Sequence, residues 1–384
     1  RASLNNPELM AEITGFADGS KQTLDLKAQL RNLGLMIPQF PGALVLSGQV
    51  INTAGGAQID LTGKGPGGID AVITGRVEKS GQADLAIRGR GQAALANAFI
   101  APRTVSGGLG FDRRLNGPLA LSSVSGPITL EGGRLSDPGL TFGFQDISAR
   151  ADLAGGQAKV NATLPLTTGG KAAIAGTIGL AEPFSSTLGI ALQGVTLRDP
   201  ELYDSRLNGE LTLTGPLLQT PQLAGQIDLI ETELRVPSTG FGGAAGLPDL
   251  RHVNEPADVR ATRERAGLLE KVGKSVGRSG GDLALDLTIS APNRLFLRGR
   301  GLDAELGGEV RLLGTLSNLK PAGSFNLIRG RVEILGKRLE LDEATLQLEG
   351  DLVPYLNIGA STENDGVTAF MLIEGRADDP KVSF

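Results

Sequence analysis

Apolar and polar residues alternate along much of this chain. The clearest stretch is 282–289, where Asp-Leu-Ala-Leu-Asp-Leu-Thr-Ile puts an aliphatic side chain at every odd position. The same pattern occurs at 24–26, 339–341 and 346–349. Successive side chains of a β-strand point to opposite faces of its sheet, so a period of two is typical of strands. The pattern predicts an all-β chain whose strands have one aliphatic face and one polar face.

Glycines interrupt this alternation at short intervals. Toward the C-terminus they stand at Gly314, Gly323, Gly330, Gly336 and Gly350. Turns this close together leave no room for the long crossover that a parallel pair of strands requires. We therefore expect a mostly antiparallel sheet built from hairpins.

Part of the pattern occurs again about a hundred residues later. Gly-Glu-Leu-Thr-Leu at 209–213 is matched by Gly-Glu-Val-Arg-Leu at 308–312. Gly-Gln-Ile-Asp-Leu-Ile at 225–230 is matched by Gly-Ser-Phe-Asn-Leu-Ile at 323–328, and a weaker third copy covers 117–130. Repeated units of this kind stack on one another into an elongated structure. The repeat predicts stacked units that share one continuous apolar face.

One segment breaks the pattern and divides the chain into three parts. Residues 238–247 are rich in Gly and Ala, and 255–278 has the spacing of an amphipathic helix that begins near Pro256. We expect a mobile insertion at 238–281 with one short surface helix; a functional lid, a helix that docks a partner, and disorder are the alternatives. The β parts are then 1–237 and 282–384.

Composition and charge exclude several function classes. The chain has no Cys, which removes disulfides, thiolate catalysis and Cys-ligated metals. Its net charge of −5 argues against nucleic acid as a partner. It has no run of about twenty apolar residues that would cross a membrane as a helix. Because the sequence begins at Arg1, we expect it to be a piece of a longer protein whose anchor lies outside it.

The residues that carry chemistry in other proteins do not form a recognisable catalytic, cofactor or metal site. His252 is the single histidine, which argues against a Ser-His-Asp triad and a multi-His metal site. The glycine patterns at 63–68 and 299–304 resemble phosphate loops, but a strand pattern follows the first and more glycine follows the second. The acidic groups at 363–365 and 378–379 lack the ligand spacing of an EF-hand. The sequence therefore predicts a protein that is not an enzyme and has no cofactor.

Four arginines lie on predicted strands, at Arg88, Arg90, Arg298 and Arg300. We interpret them as solvated strand residues that discourage pairing at sheet edges. The alternative is that they meet anionic head groups or another protein.

The aliphatic face is the main candidate for function. It is either a closed core or the lining of an open groove that binds apolar ligands, and periodicity does not separate the two. The scarcity of aromatic residues, 4% of the chain, favours the groove, because bulky rings usually fill the gaps of a closed core. The predicted groove-lining residues are the apolar positions of their strands: Leu283, Leu285, Leu287, Ile289, Phe325, Leu327, Val332, Ile334, Leu339, Leu341, Leu346 and Leu348.

The last hundred residues resemble a known family. The segment 289–308, Ile-Ser-Ala-Pro-Asn-Arg-Leu-Phe-Leu-Arg-Gly-Arg-Gly-Leu-Asp-Ala-Glu-Leu-Gly-Gly, is similar to the start of the C-terminal domain of the TamB family. Further matches follow in the family's order at Gly314-Thr, Pro321-x-Gly323, 328–339, 354–358 and 379–384. The resemblance is specific over 282–384 and compatible over 1–237.

The resemblance implies a β-taco, a long sheet folded into a half-pipe around an apolar groove. It implies a periplasmic protein of a Gram-negative bacterium, anchored in the inner membrane by a segment outside this sequence, with a TamA-type outer-membrane barrel protein as its partner. The expected function is non-enzymatic movement of phospholipids, through their acyl chains, toward the outer membrane, together with assembly or secretion of outer-membrane proteins.

Two other functions remain open at this point. A scaffold would bind nascent outer-membrane β-strands by pairing at an exposed sheet edge, without carrying lipid. A structural β-solenoid of an adhesin would need regular coil-length repeats, and the long spacing of the repeats argues against it.

Overall fold

The structure is a computed structural model and describes residues 2–18, 21–35, 40–236, 282–334, 336–364 and 367–383. The predicted insertion at 238–281, with its helix and His252, lies outside the described residues. Within the described residues there are 22 strands, and the only α-helix, α1, has four residues (Asn97–Ile100). Short 3-10 turns occur at Leu33–Leu35, Pro66–Gly68, Ala93–Ala96 and Leu121–Ser123. The prediction of an all-β fold with antiparallel strands is confirmed.

The chain divides into two compact units. The first consists of residues 1–199, 204–216 and 222–230. Its strands are β1 (Ala2–Asn5), β2 (Leu9–Asp18), β3 (Lys21–Leu30), β4 (Leu44–Thr53), β5 (Gly56–Gly65), β6 (Ile69–Glu78), β7 (Gln82–Gln92), β8 (Thr104–Pro118), β9 (Val124–Ser136), β10 (Phe144–Ala154), β11 (Gln157–Pro165), β12 (Lys171–Gly179), β13 (Ser185–Asp199), most of β14 (Tyr203–Pro216) and the first part of β15 (Gln222–Arg235). From β1 to β13, each strand pairs antiparallel with the next.

The second unit consists of residues 200–203, 217–221 and 231–384. Its strands are β16 (Ala284–Gly299), β17 (Leu302–Thr315), β18 (Asn318–Ile334), β19 (Lys337–Glu349), β20 (Tyr355–Asn364), β21 (Val367–Arg376) and β22 (Lys381–Ser383). Each of these strands also pairs antiparallel with the next. Both units are therefore meanders of the kind that closely spaced turns predict.

The internal repeat corresponds to a repeated close approach of two neighbouring backbones. Gly225 and Gly323 stand at equivalent positions of the two copies, and both have φ +138°. A Cβ atom built at Gly225 would lie 2.2 Å from the carbonyl oxygen of Glu210, and one at Gly323 would lie 2.4 Å from that of Glu309. Glu210 and Glu309 are themselves equivalent in the repeat. Both copies therefore need glycine for the same reason, which is a positive φ at a close approach of two backbones.

The proposed third copy is wrong in its first half. Leu119 and Leu121, taken as strand residues, lie after the end of β8 and are 64% and 51% exposed. A 3-10 turn at Leu121–Ser123 follows. Only the second half, which begins at Gly126, lies on a strand. The alternation at 119–121 is too short to distinguish a strand from a turn that happens to contain two leucines.

Bulges bend three strand pairs of the second unit, β16–β17, β17–β18 and β19–β20. The register shifts between Ala291 and Leu295 on β16, at Ile328 on β18, and at Asp342 on β19. A bulge adds residues to one strand and bends it, which lets a sheet curl over one of its faces. The sheet of this unit is accordingly curled and unclosed.

Three large apolar side chains of the second unit are almost completely buried. Leu306 is 0% exposed, and Leu295 and Met371 are each 2% exposed. No helix within the described part of this unit packs on the apolar face. Burial this complete therefore arises because the curled sheet brings its own apolar side chains together.

Candidate functional site

Strand pairing places all twelve predicted groove-lining residues on one face of the second unit's sheet. Residues that are directly opposite in antiparallel strands share a face. Phe325 on β18 lies opposite Leu346 on β19, and Val332 lies opposite Leu339. The remaining predicted positions lie on the same face, because positions alternate between the two faces along each strand and the bulges shift this alternation. They are Leu283, which directly precedes β16, and Leu285, Leu287, Ile289, Leu327, Ile334, Leu341 and Leu348.

The twelve residues differ in how accessible they are. Five are at most 8% exposed: Leu285, Leu287, Val332, Leu339 and Leu341. Six are partly exposed: Leu283, Ile289, Phe325, Leu327, Leu346 and Leu348. For Ile334 the structure describes the backbone only. The predicted set therefore includes both a closed part of the face and a part that an apolar ligand can reach, and its role as a groove lining stays a prediction.

Sequence reasoning missed several residues of this face that are more deeply buried than the predicted ones. They are Ala291, Leu295, Ala304, Leu306, Val310, Ile358, Ala360 and Met371. Leu306 lies opposite the predicted residue Leu327, and Val310 lies opposite the predicted residue Ile289. The alternation along β17 was therefore a signal for both. Met371 could have been found from the alternation of Ala369, Met371 and Ile373.

The opposite face of the second unit is ionic. The Arg311 guanidinium on β17 donates two hydrogen bonds to the Asp286 carboxylate on β16, at 2.8 and 2.9 Å. These bonds lower the pKa of Asp286 and raise that of Arg311. Arg298 pairs with Asp303 at 3.2 Å and with Glu233 at 2.7 Å. This face is charged and suited to contact with water, so the sheet has one polar face and one apolar face.

The apolar face of the first unit is built in the same way but is more open. One row of directly paired positions runs from Leu26 on β3 through Gly48, Leu61 and Ile73 to Ile87 on β7. The four aliphatic side chains of this row are partly exposed. The row ends on β8 at Arg113, which lies opposite Ile87. An arginine on this face had no signal in the sequence, because the alternation of 111–115 is imperfect.

The two phosphate-loop-like patterns do not precede helices. The glycine pattern 63–68 spans the end of β5 and a three-residue 3-10 turn, and β6 follows it directly. The pattern 299–304 forms the turn between β16 and β17. Neither offers the row of backbone N–H groups that a helix N-terminus aims at a phosphate.

Other candidate residues have ordinary structural surroundings. Arg88 is exposed and pairs with Asp112 at 3.1 Å, as expected for a solvated strand residue. In the ranges that the structure describes, no three His, Asp or Glu side chains come together as a metal site. None of the described helices is long and apolar enough to cross a membrane.

Comparison with known proteins points to one family. The family model described as TamB C-terminal domain matches residues 159–384. This match includes all of the second unit and extends well into the first. No curated protein matches the chain.

Proposed function

This chain belongs to the TamB family, and on that premise we propose that its apolar face conveys phospholipid acyl chains toward the outer membrane. The family is a non-enzymatic transport and assembly family, and the chain is a TamB-type component of the translocation and assembly module of the Gram-negative envelope. Phospholipid as the cargo, and support of outer-membrane protein assembly and secretion, are the finer parts of the proposal.

One observation carries the proposal. Each unit has a single-layered sheet with aliphatic residues on one face, and part of that face is accessible. In the first unit the accessible positions form a continuous row, Leu26, Leu61, Ile73 and Ile87, with Gly48 in between. A soluble sheet normally covers such a face with a second layer. An acyl chain is a ligand that matches a long, narrow and uncharged surface.

The energetics of transfer favour such a surface. Exposing a C16 acyl chain to water costs roughly 12 kcal/mol, since each CH₂ contributes about 0.8 kcal/mol. An apolar row removes most of this cost at every point along it. The five steps from β3 to β8 span about 24 Å at 4.8 Å per strand, which exceeds the roughly 15 Å thickness of one leaflet's hydrocarbon. A single acyl chain can therefore lie along the row.

The envelope context follows from the same proposal. We place the chain in the periplasm, anchored in the inner membrane by a segment outside this sequence, with a TamA-type barrel protein as its outer-membrane partner. The polar face, with ion pairs such as Arg311–Asp286, suits a sheet whose back is in water. Phospholipid would then pass along the apolar face while the polar face stays solvated.

Leu346 and Gln347 allow a matched test of this function. They are neighbours on β19, but Leu346 lies on the apolar face and Gln347 is exposed on the polar face. We expect L346R to slow transfer of fluorescent phospholipid between donor and acceptor vesicles, because the acyl chain must pass a charge. Q347R should transfer lipid at the wild-type rate. Equal rates for the two variants, or wild-type transfer with L346R, would contradict the proposal.

A second function is favoured by one sheet edge. In the described residues β22 pairs only with Leu372, Ile373 and Glu374 of β21. The preceding part of β21, which includes the 65%-exposed Phe370, presents its backbone to a further strand. Pairing there would let the chain hold nascent outer-membrane strands. A proline at Thr368, whose backbone N–H faces the open edge because the N–H of Ala377 and of the other odd positions faces β20, should then reduce crosslinking to an unfolded barrel protein while leaving lipid transfer unchanged. A loss of lipid transfer alone would argue against edge pairing.

A further inference from the structure

Arg113 is a charged residue on the apolar face of the first unit. Strand pairing places it directly opposite Ile87, and its neighbour Leu115 lies opposite Leu85. Leu85 and Leu115 belong to a buried apolar cluster. Arg113 itself is only 6% exposed. The guanidinium is therefore held among aliphatic side chains rather than in water.

The terminal nitrogens of Arg113 have no hydrogen-bond partner. Both Nη1 and Nη2 are buried, and no described residue accepts a bond from either. Two carboxylates act on its charge from a distance, and both are already paired: Asp112 with Arg88 at 3.1 Å and Asp152 with Arg150 at 2.7 Å. Burial lowers the pKa of Arg113, but an arginine stays protonated at neutral pH.

The neighbouring residue Arg114 shows the contrast. Arg114 points to the polar face and donates two hydrogen bonds to Asp84, each at 2.9 Å. Arg114 thus has a carboxylate partner, whereas the terminal nitrogens of Arg113 have none. A buried charge without a partner destabilises a fold, so the position is suited to a ligand that supplies the missing anion.

The guanidinium of Arg113 lies against a glycine of the neighbouring strand. Gly126 on β9 has no side chain, and a Cβ built there would lie 3.4 Å from Nη1 of Arg113. Any larger residue would crowd the guanidinium. From the other side, the apolar row of Leu26, Leu61, Ile73 and Ile87 leads up to Arg113. A long apolar row that ends in a buried cation matches an amphiphile with an anionic head.

We propose that Arg113 binds the phosphate diester of a phospholipid whose acyl chain lies along the row from Leu26 to Ile87. The guanidinium N–H groups donate to the phosphate oxygens, a geometry for which the planar fork of arginine is suited. This inference rests on the proposed function, because it assumes that the apolar face receives lipid. It adds to that function a fixed point at which a head group pauses.

The test compares lipids that share their acyl chains and differ in whether they carry a head group with a phosphate diester. The purified chain is incubated with phosphatidylglycerol or with diacylglycerol of the same acyl chains, and bound lipid is counted by native mass spectrometry. We expect the wild type to prefer phosphatidylglycerol by roughly 10-fold, the factor that one charged hydrogen bond supplies. R113M should bind both lipids equally, and R113K should keep part of the preference.

Arg114 supplies the matched control, since R114M removes a neighbouring charge from the polar face and should keep the full preference. Thermal unfolding checks each variant, and R113M should be at least as stable as the wild type because it removes an unpaired buried charge.

A preference that survives in R113M overturns the inference. Competition by inorganic phosphate as strong as that by phosphatidylglycerol also overturns it, because the site would then bind a free anion. If the wild type binds both lipids equally, only the inference fails; if it binds neither, the proposed function fails with it.

Discussion

The Glu305 carboxylate accepts a hydrogen bond from the backbone N–H of Arg294 at 3.1 Å. Arg294 lies in the β16 bulge with φ +59°, a backbone conformation that non-glycine residues rarely adopt. The other carboxylate oxygen of Glu305 accepts a bond from Arg329 on β18 at 2.8 Å. Glu305 lies on β17 and is 8% exposed. From this buried position its carboxylate connects the bulge of β16 to Arg329 of β18. The carboxylate therefore holds the bend beside Leu306.

This contact explains part of the family-like segment 289–308. Pro292 lies in the bulge, and a Cβ at Gly307 would lie 2.5 Å from the carbonyl oxygen of Pro292. Gly299 and Gly301, with φ +130° and +84°, form the turn that follows. The segment is conspicuous as a motif because it encodes a bulge, its carboxylate and a tight turn.

Replacing the carboxylate should change the pH dependence of stability. The Arg294 N–H, and then Arg329, lower the pKa of Glu305. A carboxylate with a lowered pKa stabilises the fold above its unfolded-state pKa and loses that contribution as the pH falls through the folded-state value. We expect E305Q to unfold at a lower temperature than the wild type at pH 7, and the difference to shrink in the acid range below the ordinary glutamate value of 4.5. The measurement is thermal unfolding by circular dichroism across pH.

The control for Glu305 is Glu309, an exposed residue of the same strand and face. E309Q should leave the pH profile close to that of the wild type. A pH-independent gap between E305Q and wild type would show that the carboxylate's charge does not matter.

A side chain at Gly323 should destabilise the sheet. In G323A the new Cβ would lie 2.4 Å from the Glu309 carbonyl oxygen, at a φ of +138°. A strained conformation of this kind costs about 1–3 kcal/mol. Urea unfolding should show this loss for G323A and at most a few tenths of a kcal/mol for S324A on the same strand. Equal stability of the two variants would mean that the backbone at position 323 does not require glycine.

Leu306 should be one of the most sensitive apolar positions. It is fully buried, so L306A should reduce the free energy of unfolding by about 2–5 kcal/mol. Leu313 is 37% exposed on the polar face of the same strand, and L313A should cost less than about 1 kcal/mol. Urea unfolding of both variants measures the difference. Similar losses would contradict the assignment of the two faces.

The faces of the strands could be predicted from the sequence, but the bends could not. Leu327 and Val332 have opposite parity, as do Leu341 and Leu346, yet each pair lies on one face. Bulges at Ile328 and Asp342 cause these changes, and alternation alone does not show where an extra residue enters a strand. The predicted lining residues lie on one common face because each strand segment was assigned by its own pattern.

The accessibility of the face could not be predicted either. Leu285 and Leu283 follow the same alternation, but the first is buried and the second is partly exposed. Burial depends on how sharply the sheet curls, and the curl depends on bulges and glycine bends spread over several strands. Arg113 was missed for a related reason, since a charged residue at an apolar position is recognised only once its cross-strand partner Ile87 is known.

Photo-crosslinking from neighbouring positions tests the central claim most directly. A photoreactive amino acid is placed at Leu346 or at Gln347, the chain is incubated with vesicles that contain radiolabelled phospholipid, and adducts are counted after irradiation. If the apolar face carries acyl chains, position 346 should give phospholipid adducts and position 347 should give few or none. Equal labelling at both positions, or labelling at neither, would contradict the claim that this face conveys lipid.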